Sequence, residues 1–171
     1  MPTQNRHEWE AYLEFIGCHF RRHALLSPVV VELGVCRGES RQFYRTLFNA
    51  RYIGIDVDGR GNPEIPGNTH DKAVQDKLKK MLDGNPIGLL FIDACHCYHD
   101  VKADYEGYSP LVNKENGIIA FHDIYTDHPG VRVKKFWDEI EACDDSMLRV
   151  TFRHKNTYPA WDYGIGLLIH A

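Results

Sequence analysis

The chain has 171 residues, 43% of them hydrophobic and 26% charged, with a formal net charge of −4. This is enough chain for one domain with a sizeable core, and it lacks the basic excess that would draw nucleic acid or an anionic membrane. No apolar run is long enough to span a bilayer, no signal-like segment opens the chain, and an odd count of five cysteines is no disulfide framework; a single cytoplasmic domain over residues 1–171 is expected.

Residues 8–20 place Trp9, Tyr12, Leu13, Ile16 and Phe20 on one helical face. An N-terminal helical segment within 1–28 should therefore pack over a sheet or roof a cleft. Arg21, Arg22 and His23 read as its solvated, dipole-compatible end. After Ser27-Pro28 comes Val29-Val30-Val31-Glu32-Leu33-Gly34-Val35-Cys36-Arg37-Gly38-Glu39-Ser40. The β-branched run predicts a buried parallel strand. The glycines predict a turn, and Phe43, Tyr44, Leu47 and Phe48 after Ser40 have helical spacing. Glycine permits a sharp turn and close ligand approach, and a helix start offers free N–H groups. The turn is neither the G-x-G-x-x-G dinucleotide pattern nor a phosphate loop.

Tyr52 to Asp58 predicts a second strand ending in acid. Asp56 stands where doubly wound nucleotide folds grip ribose hydroxyls. Residues 59–68 form a Gly/Pro-rich loop, with a short third strand near 64–68. Thr69-His70-Asp71 should cap a helix with Val74, Leu78, Met81 and Leu82 inward and lysines on its wet face; Gly84-Asn85-Pro86 stops it. Leu89 to Asp93 is the next buried strand. Ala94-Cys95-His96-Cys97-Tyr98-His99 leads to a helix carrying Val101, Tyr105, Tyr108 and Val112. Ile118 to Phe121 ends at His122-Asp123, before a helix with Val133, Phe136, Trp137 and Ile140. Met147–Phe152 and Ile165–Ile169 are two last strands, antiparallel because no helical pattern connects them.

This order predicts an α/β, doubly wound, Rossmann-like sheet. It should be mostly parallel, with an antiparallel C-terminal strand pair and helices on both faces. Ligands bind at the carboxyl ends of such strands, where Glu32, Asp56, Asp93, His122 and Asp123 gather. Packing alone does not explain polar groups on four strand ends.

The Glu-x-Gly-x-x-x-Gly turn resembles the first motif of class I S-adenosylmethionine (SAM) methyltransferases. Three further runs sharpen the likeness: Leu89 to Asp104, Gly117 to Ile124, and Gly130 to Trp137. From about Val29 onward the chain resembles the macrolide and aminocoumarin sugar O-methyltransferases and the cephalosporin hydroxylase-like proteins. The resemblance implies SAM contacts at Glu32, Gly34, Gly38, Ser40, Asp56 and Asp93. It also implies a divalent metal at Asp93, Asp123 and His122. Carboxylates suit magnesium, whereas an imidazole ligand suits manganese, iron or zinc. The implied reaction is methylation of a small hydroxylated acceptor.

The main departure is Cys95. The family run Asp-Gly-Asp-His-Ser-Tyr has a second Asp there that can act as base. Here His96 or His99 must take that role, or activity is weak or absent. Cys95, Cys97 and His99 have ligating side chains, but Cys-x-Cys without a second ligand pair is not a zinc pattern, and buried free cysteines are the plainer expectation. The short lead before the first strand implies an open acceptor pocket or one closed by a second subunit of a homo-oligomer. Three other functions are weighed: a macromolecule-directed methyltransferase, a degenerate SAM- or nucleoside-binding protein, and an NAD-dependent oxidoreductase. The missing Asn/Asp-Pro-Pro-aromatic motif disfavours a nucleic-acid amino-methylating enzyme, and the glycine spacing disfavours the oxidoreductase.

Overall fold

The computed structural model describes residues 6–143, 146–153 and 162–170. The elements are α1 (Arg6–Arg22), β1 (Val29–Leu33), α2 (Glu39–Phe48), β2 (Arg51–Asp56), β3 (Ile65–Pro66), α3 (Lys72–Leu82), β4 (Leu89–Ile92), α4 (Tyr98–Tyr108), β5 (Ile118–His122), α5 (Val133–Cys143), β6 (Leu148–Phe152) and β7 (Ile165–Ile169). The sheet order is β3-β2-β1-β4-β5-β7-β6. The strands from β3 to β5 in that order pair in parallel, and β7 lies antiparallel between β5 and β6. The expected fold class and its antiparallel end are therefore present. Much of the β6–β7 connection (154–161), the last residue and the Cys143 side chain lie outside the described residues.

Helices cover both faces, so all five positions of β1 are buried. Side chains alternate across a strand. Val29, Val31 and Leu33 join one core with Val74 and Leu78 of α3, Val101 and Tyr108 of α4, and Phe136 and Trp137 of α5. Val30 joins the other, beneath Trp9, Tyr12, Leu13, Ile16 and Phe20 of α1 and Tyr44 of α2. By the same alternation Glu32 points into this second face, an acid within an aromatic core.

Two expectations change. In α2 only Ser40 and Tyr44 are buried. Phe43 and Leu47 are exposed, because the helix turns its Ser40/Tyr44 stripe toward Glu32 and leaves Phe43 edge-on to Trp9 at 6.2 Å. In α4 the fully buried residues are Val101, Tyr108 and an acid, Asp104; Tyr105 is half-buried and Val112 lies beyond the helix.

Candidate active site

The carboxyl ends of β1, β2, β4 and β5 open into a cleft of about 960 Å³, within the usual range for small-molecule sites. Its floor is the turn after β1. Gly34 has φ +88°, and a Cβ there would stand 2.1 Å from the Asp93 carbonyl oxygen. Glycine at this position lets the ends of β1 and β4 touch. Asp56 clasps the turn from β2. Its Oδ2 accepts from the Val35 and Cys36 amides at 2.7 and 2.8 Å, and its Oδ1 from the Asp58 amide at 2.7 Å. A carboxylate has about four acceptor sites, so one remains for a ligand hydroxyl. Asp56 is thus first a loop clasp, and its expected ribose contact has that one site to use.

Glu32 accepts from Ser40 Oγ at 2.7 and 2.6 Å and from the Tyr52 hydroxyl. Burial pushes its carboxyl up to about 7, against the pull of these donors. Gly38, at φ +75°, ends the turn as the N-cap of α2, behind the residues that line the cleft.

The second half of the site follows from strand register. Ile92 pairs with Phe121 across β4 and β5, so Asp93 and His122 emerge side by side, followed by Asp123. His122 Nδ1 lies 3.4 Å from Asp93 Oδ1 and 3.1 Å from Asp123 Oδ1. The loop after β4 brings His96 back over them, with Nε2 3.3 Å from Asp93 Oδ1 and 3.0 Å from Asp123 Oδ2. The His96 carbonyl accepts from the Arg132 amide at 2.7 Å, which fastens this loop to the segment before α5. The Tyr163 ring stacks on His122 at 5.7 Å.

Electrostatics follow from two acids facing two imidazoles. Hydrogen bonds to Asp123 and Asp93 raise His96 to about 10. Burial works to lower His122, but the two carboxylates prevail and raise it to about 10 as well. Asp93 and Asp123 are held below the usual carboxylate range, the imidazoles overcoming burial. Asp123 also has φ +66°, a region that non-glycine residues seldom adopt and that clusters at functional positions.

Asp93, His122 and Asp123 each offer a ligand atom, all within 4.8 Å of one another. Adjacent donors around a six-coordinate magnesium ion with bonds near 2.1 Å sit about 3 Å apart, close to the spacings here. Asp123 Oδ1 has no well-formed hydrogen bond among the described residues. The two carboxylates suit a hard divalent cation, and His122 as a third ligand would favour manganese, iron or zinc; with no cation bound, both imidazoles face the carboxylates as cations.

Glu32, Gly34, Ser40, Asp56, Asp93, His96, His122 and Asp123 thus converge on one cleft. His99 does not. It is exposed on the first turn of α4, its ring 5.1 Å from Tyr98, whereas His96 lies in the loop before that helix. Cys95 and Cys97 are exposed rather than buried. Sequence reasoning missed Tyr52, which alternation on β2 places on the face of Glu32. It also missed His70, which lines the cleft, and Tyr163, which no local pattern marks.

Similarity to known proteins agrees with this geometry. The chain matches the profile of a methyltransferase domain over residues 31–124. It is 30% identical over 87 residues to an uncharacterized protein, y4gI, of Sinorhizobium fredii (strain NBRC 101917 / NGR234); the match covers 51% of this chain and only 8% of that protein. Among solved structures it superposes on the O-methyltransferase TomG of Streptomyces achromogenes, in complex with SAM (TM-score 0.60, 13% identity, 94% of this chain and 80% of that one). It superposes equally on a Bacillus cereus O-methyltransferase in complex with SAH (0.61, 15%, 93% and 80%). MycE, a methyltransferase of the mycinamycin biosynthetic pathway in complex with Mg and SAH, gives 0.60 at 16% identity over 91% of this chain and 48% of that one. The matched domain takes up more than half of the sequence and contains the glycine turn, the clasp and the acid–imidazole strand ends, so the chain belongs to the methyltransferase-domain family, on the class I SAM-dependent methyltransferase fold.

Proposed function

We propose that this protein is a SAM-dependent O-methyltransferase that acts on a small hydroxylated molecule with the help of a divalent cation. The observation that carries the reading is the set of two carboxylates and two imidazoles at the ends of β4 and β5, on the edge of the cleft floored by the glycine turn. Two O-methyltransferase neighbours, and a methyltransferase neighbour with Mg in its structure, support it.

SAM is the methyl donor. Its amino-acid part would lie on the Gly34 turn near Glu32 and Ser40, and its ribose by Asp56. In the transfer the methyl–sulfur bond breaks as a methyl–oxygen bond forms, and the acceptor hydroxyl loses its proton. Asp93, Asp123 and His122 would hold the cation, whose charge lowers the pKa of a hydroxyl beside it. His96 Nε2 is the proton acceptor, being the more exposed of the two imidazoles beside the carboxylates. It accepts a proton only when neutral, and a cation on Asp93 and Asp123 favours the neutral ring by competing for the same oxygens. Cys95 is poorly suited to this role: partial desolvation of its sulfur and its bond to Asp100 push the thiol up to about 11. His99 is outside the cleft and drops out.

The test is SAH release from SAM over a panel of catechols, flavonoids and nucleotide sugars, with magnesium or with EDTA. The expected result is acceptor-dependent SAH formation that EDTA abolishes and His96→Ala lowers at least 100-fold, in line with the usual weight of a general base. Turnover indifferent to EDTA would reject the metal, and full turnover in His96→Ala would reject the base. SAM binding without turnover on any acceptor would point to a binding protein.

A further inference from the structure

A second group of ligating side chains stands beside the cleft, and the chemistry above does not use it. Cys95 and Cys97 flank His96, and Asp100 lies in the first turn of α4. Ligand atoms of these three residues all lie within 4.8 Å of one another, and Cys95 Sγ donates to Asp100 Oδ2 at 2.8 Å. His70, from the loop before α3, stands just outside this trio, with Nδ1 3.8 Å from Asp100 Oδ1. Its other nitrogen, Nε2, is 3.3 Å from Asp104 Oδ1. Asp104 is fully buried, and neither of its oxygens has a well-formed hydrogen bond among the described residues. A buried carboxylate is costly unless a cationic or donor group faces it.

We propose that Cys95, Cys97, Asp100 and His70 form a second metal site, for a divalent ion of the zinc class, with Asp104 as the residue that orients His70. The donor set is two sulfurs, one imidazole and one carboxylate, which selects zinc-class ions over magnesium. Tetrahedral zinc with Zn–S bonds near 2.3 Å keeps two sulfurs about 3.8 Å apart, inside the observed limit. His70 Nε2 lies between Asp104 Oδ1 and the Asp100 carbonyl oxygen, each at 3.3 Å; a proton on Nε2 leaves the Nδ1 lone pair on the side of the Asp100 carboxylate. This is the carboxylate–histidine–metal arrangement that fixes tautomer and ring direction. Both thiols are exposed, so an ion can enter from solvent. On binding, two metal–sulfur bonds replace two S–H bonds and two protons leave to solvent. The ion then ties the loop that carries His96 to the loop before α3. The site is separate from Asp93, His122 and Asp123, which contribute no sulfur.

The test uses the reduced, full-length, metal-free chain titrated with cobalt(II) alone, then zinc(II). The expected result is a thiolate-to-cobalt charge-transfer band that saturates at one ion and bleaches on adding zinc. Cys95→Ser and Cys97→Ser should abolish it; both positions are exposed, so neither threatens folding. Asp123→Asn and Cys18→Ser should leave it intact. His70→Ala and Asp104→Asn should weaken zinc binding about 10–100-fold by equilibrium dialysis. Absence of the band in the wild type, or its persistence in both cysteine variants, would overturn the site. Unchanged zinc affinity in both His70→Ala and Asp104→Asn would overturn the part given to His70 and its buried partner.

Discussion

Glu32 is the residue whose surroundings say most about how the cleft works. It sits 4% exposed in an aromatic core, held by Ser40 and Tyr52. Its carboxyl is raised from 4.5 to about 7. Because the folded value lies above the unfolded one, its contribution to stability is fully present below about pH 4.5 and is lost as pH rises through 7. Glu32→Gln should lessen the fall of unfolding free energy between pH 5 and 8 by on the order of 3 kcal/mol, leaving the part above pH 6.5 that comes from the raised His96 and His122. Urea denaturation at several pH values checks this; parallel wild-type and variant curves would contradict it. Asp56 makes a different kind of contribution. Asp56→Ala leaves the Val35 and Cys36 amides without their acceptor, at about 1–3 kcal/mol for each group that stays dry. We expect both lower stability and weaker SAM binding. Calorimetry showing reduced affinity with unchanged stability would return Asp56 to a purely ligand-facing role.

The β1–α2 turn is the element on which the cleft depends. A side chain at Gly34 meets the β4 backbone at 2.1 Å and also requires φ +88°. Backbone cannot move aside as a flexible side chain can. Gly34→Ala should therefore destabilise the fold by more than the ~1 kcal/mol typical of a point mutation, with SAM binding lost. A thermal midpoint within 2 °C or so of the wild type, where 1 kcal/mol is worth about 2–4 °C at this size, would show that β1 and β4 can separate. The β4–α4 loop is the other decisive element. The Arg132 amide on the His96 carbonyl and the two carboxylates under its ring fix where His96 points. Asp123→Asn should loosen that hold and weaken magnesium binding while leaving SAM affinity within about threefold, since Asp123 follows β5 and not the glycine turn after β1; equilibrium dialysis and calorimetry check the two affinities.

For the whole molecule, ligand binding is read as stability. SAM at 100 times its dissociation constant should add about 2.7 kcal/mol, or roughly 5–10 °C in thermal midpoint for a chain of this length. NAD should leave the midpoint unchanged; a shift with NAD and none with SAM would reverse the choice of nucleotide. Among the described residues no helix is long and apolar enough to cross a membrane.

The order of strands and helices was legible in the sequence because burial on both sheet faces leaves continuous apolar runs and amphipathic helices leave a period near 3.6. Acids at the ends of those runs marked the cleft edge, since a parallel sheet aligns all its carboxyl ends. The sequence also showed that Asp93 and His122-Asp123 stood at strand ends. Their contact, however, depends on β4 and β5 being neighbours in register, which pairing across the sheet decides. The direction of His96 and His99 was open to the same limit: His96 lies in the loop before α4 and His99 on its first turn, and only the folded loop sends one ring to the carboxylates and the other to solvent. Exposure of Phe43 and Leu47 was hidden because helical spacing identifies a stripe, not which stripe faces the sheet. The His70–Asp100–Asp104 contacts join a loop to a helix far along the chain, and such long-range contacts leave no period or local motif. Local chemistry therefore determined the elements and the kinds of side chain available, and tertiary packing decided which of them meet.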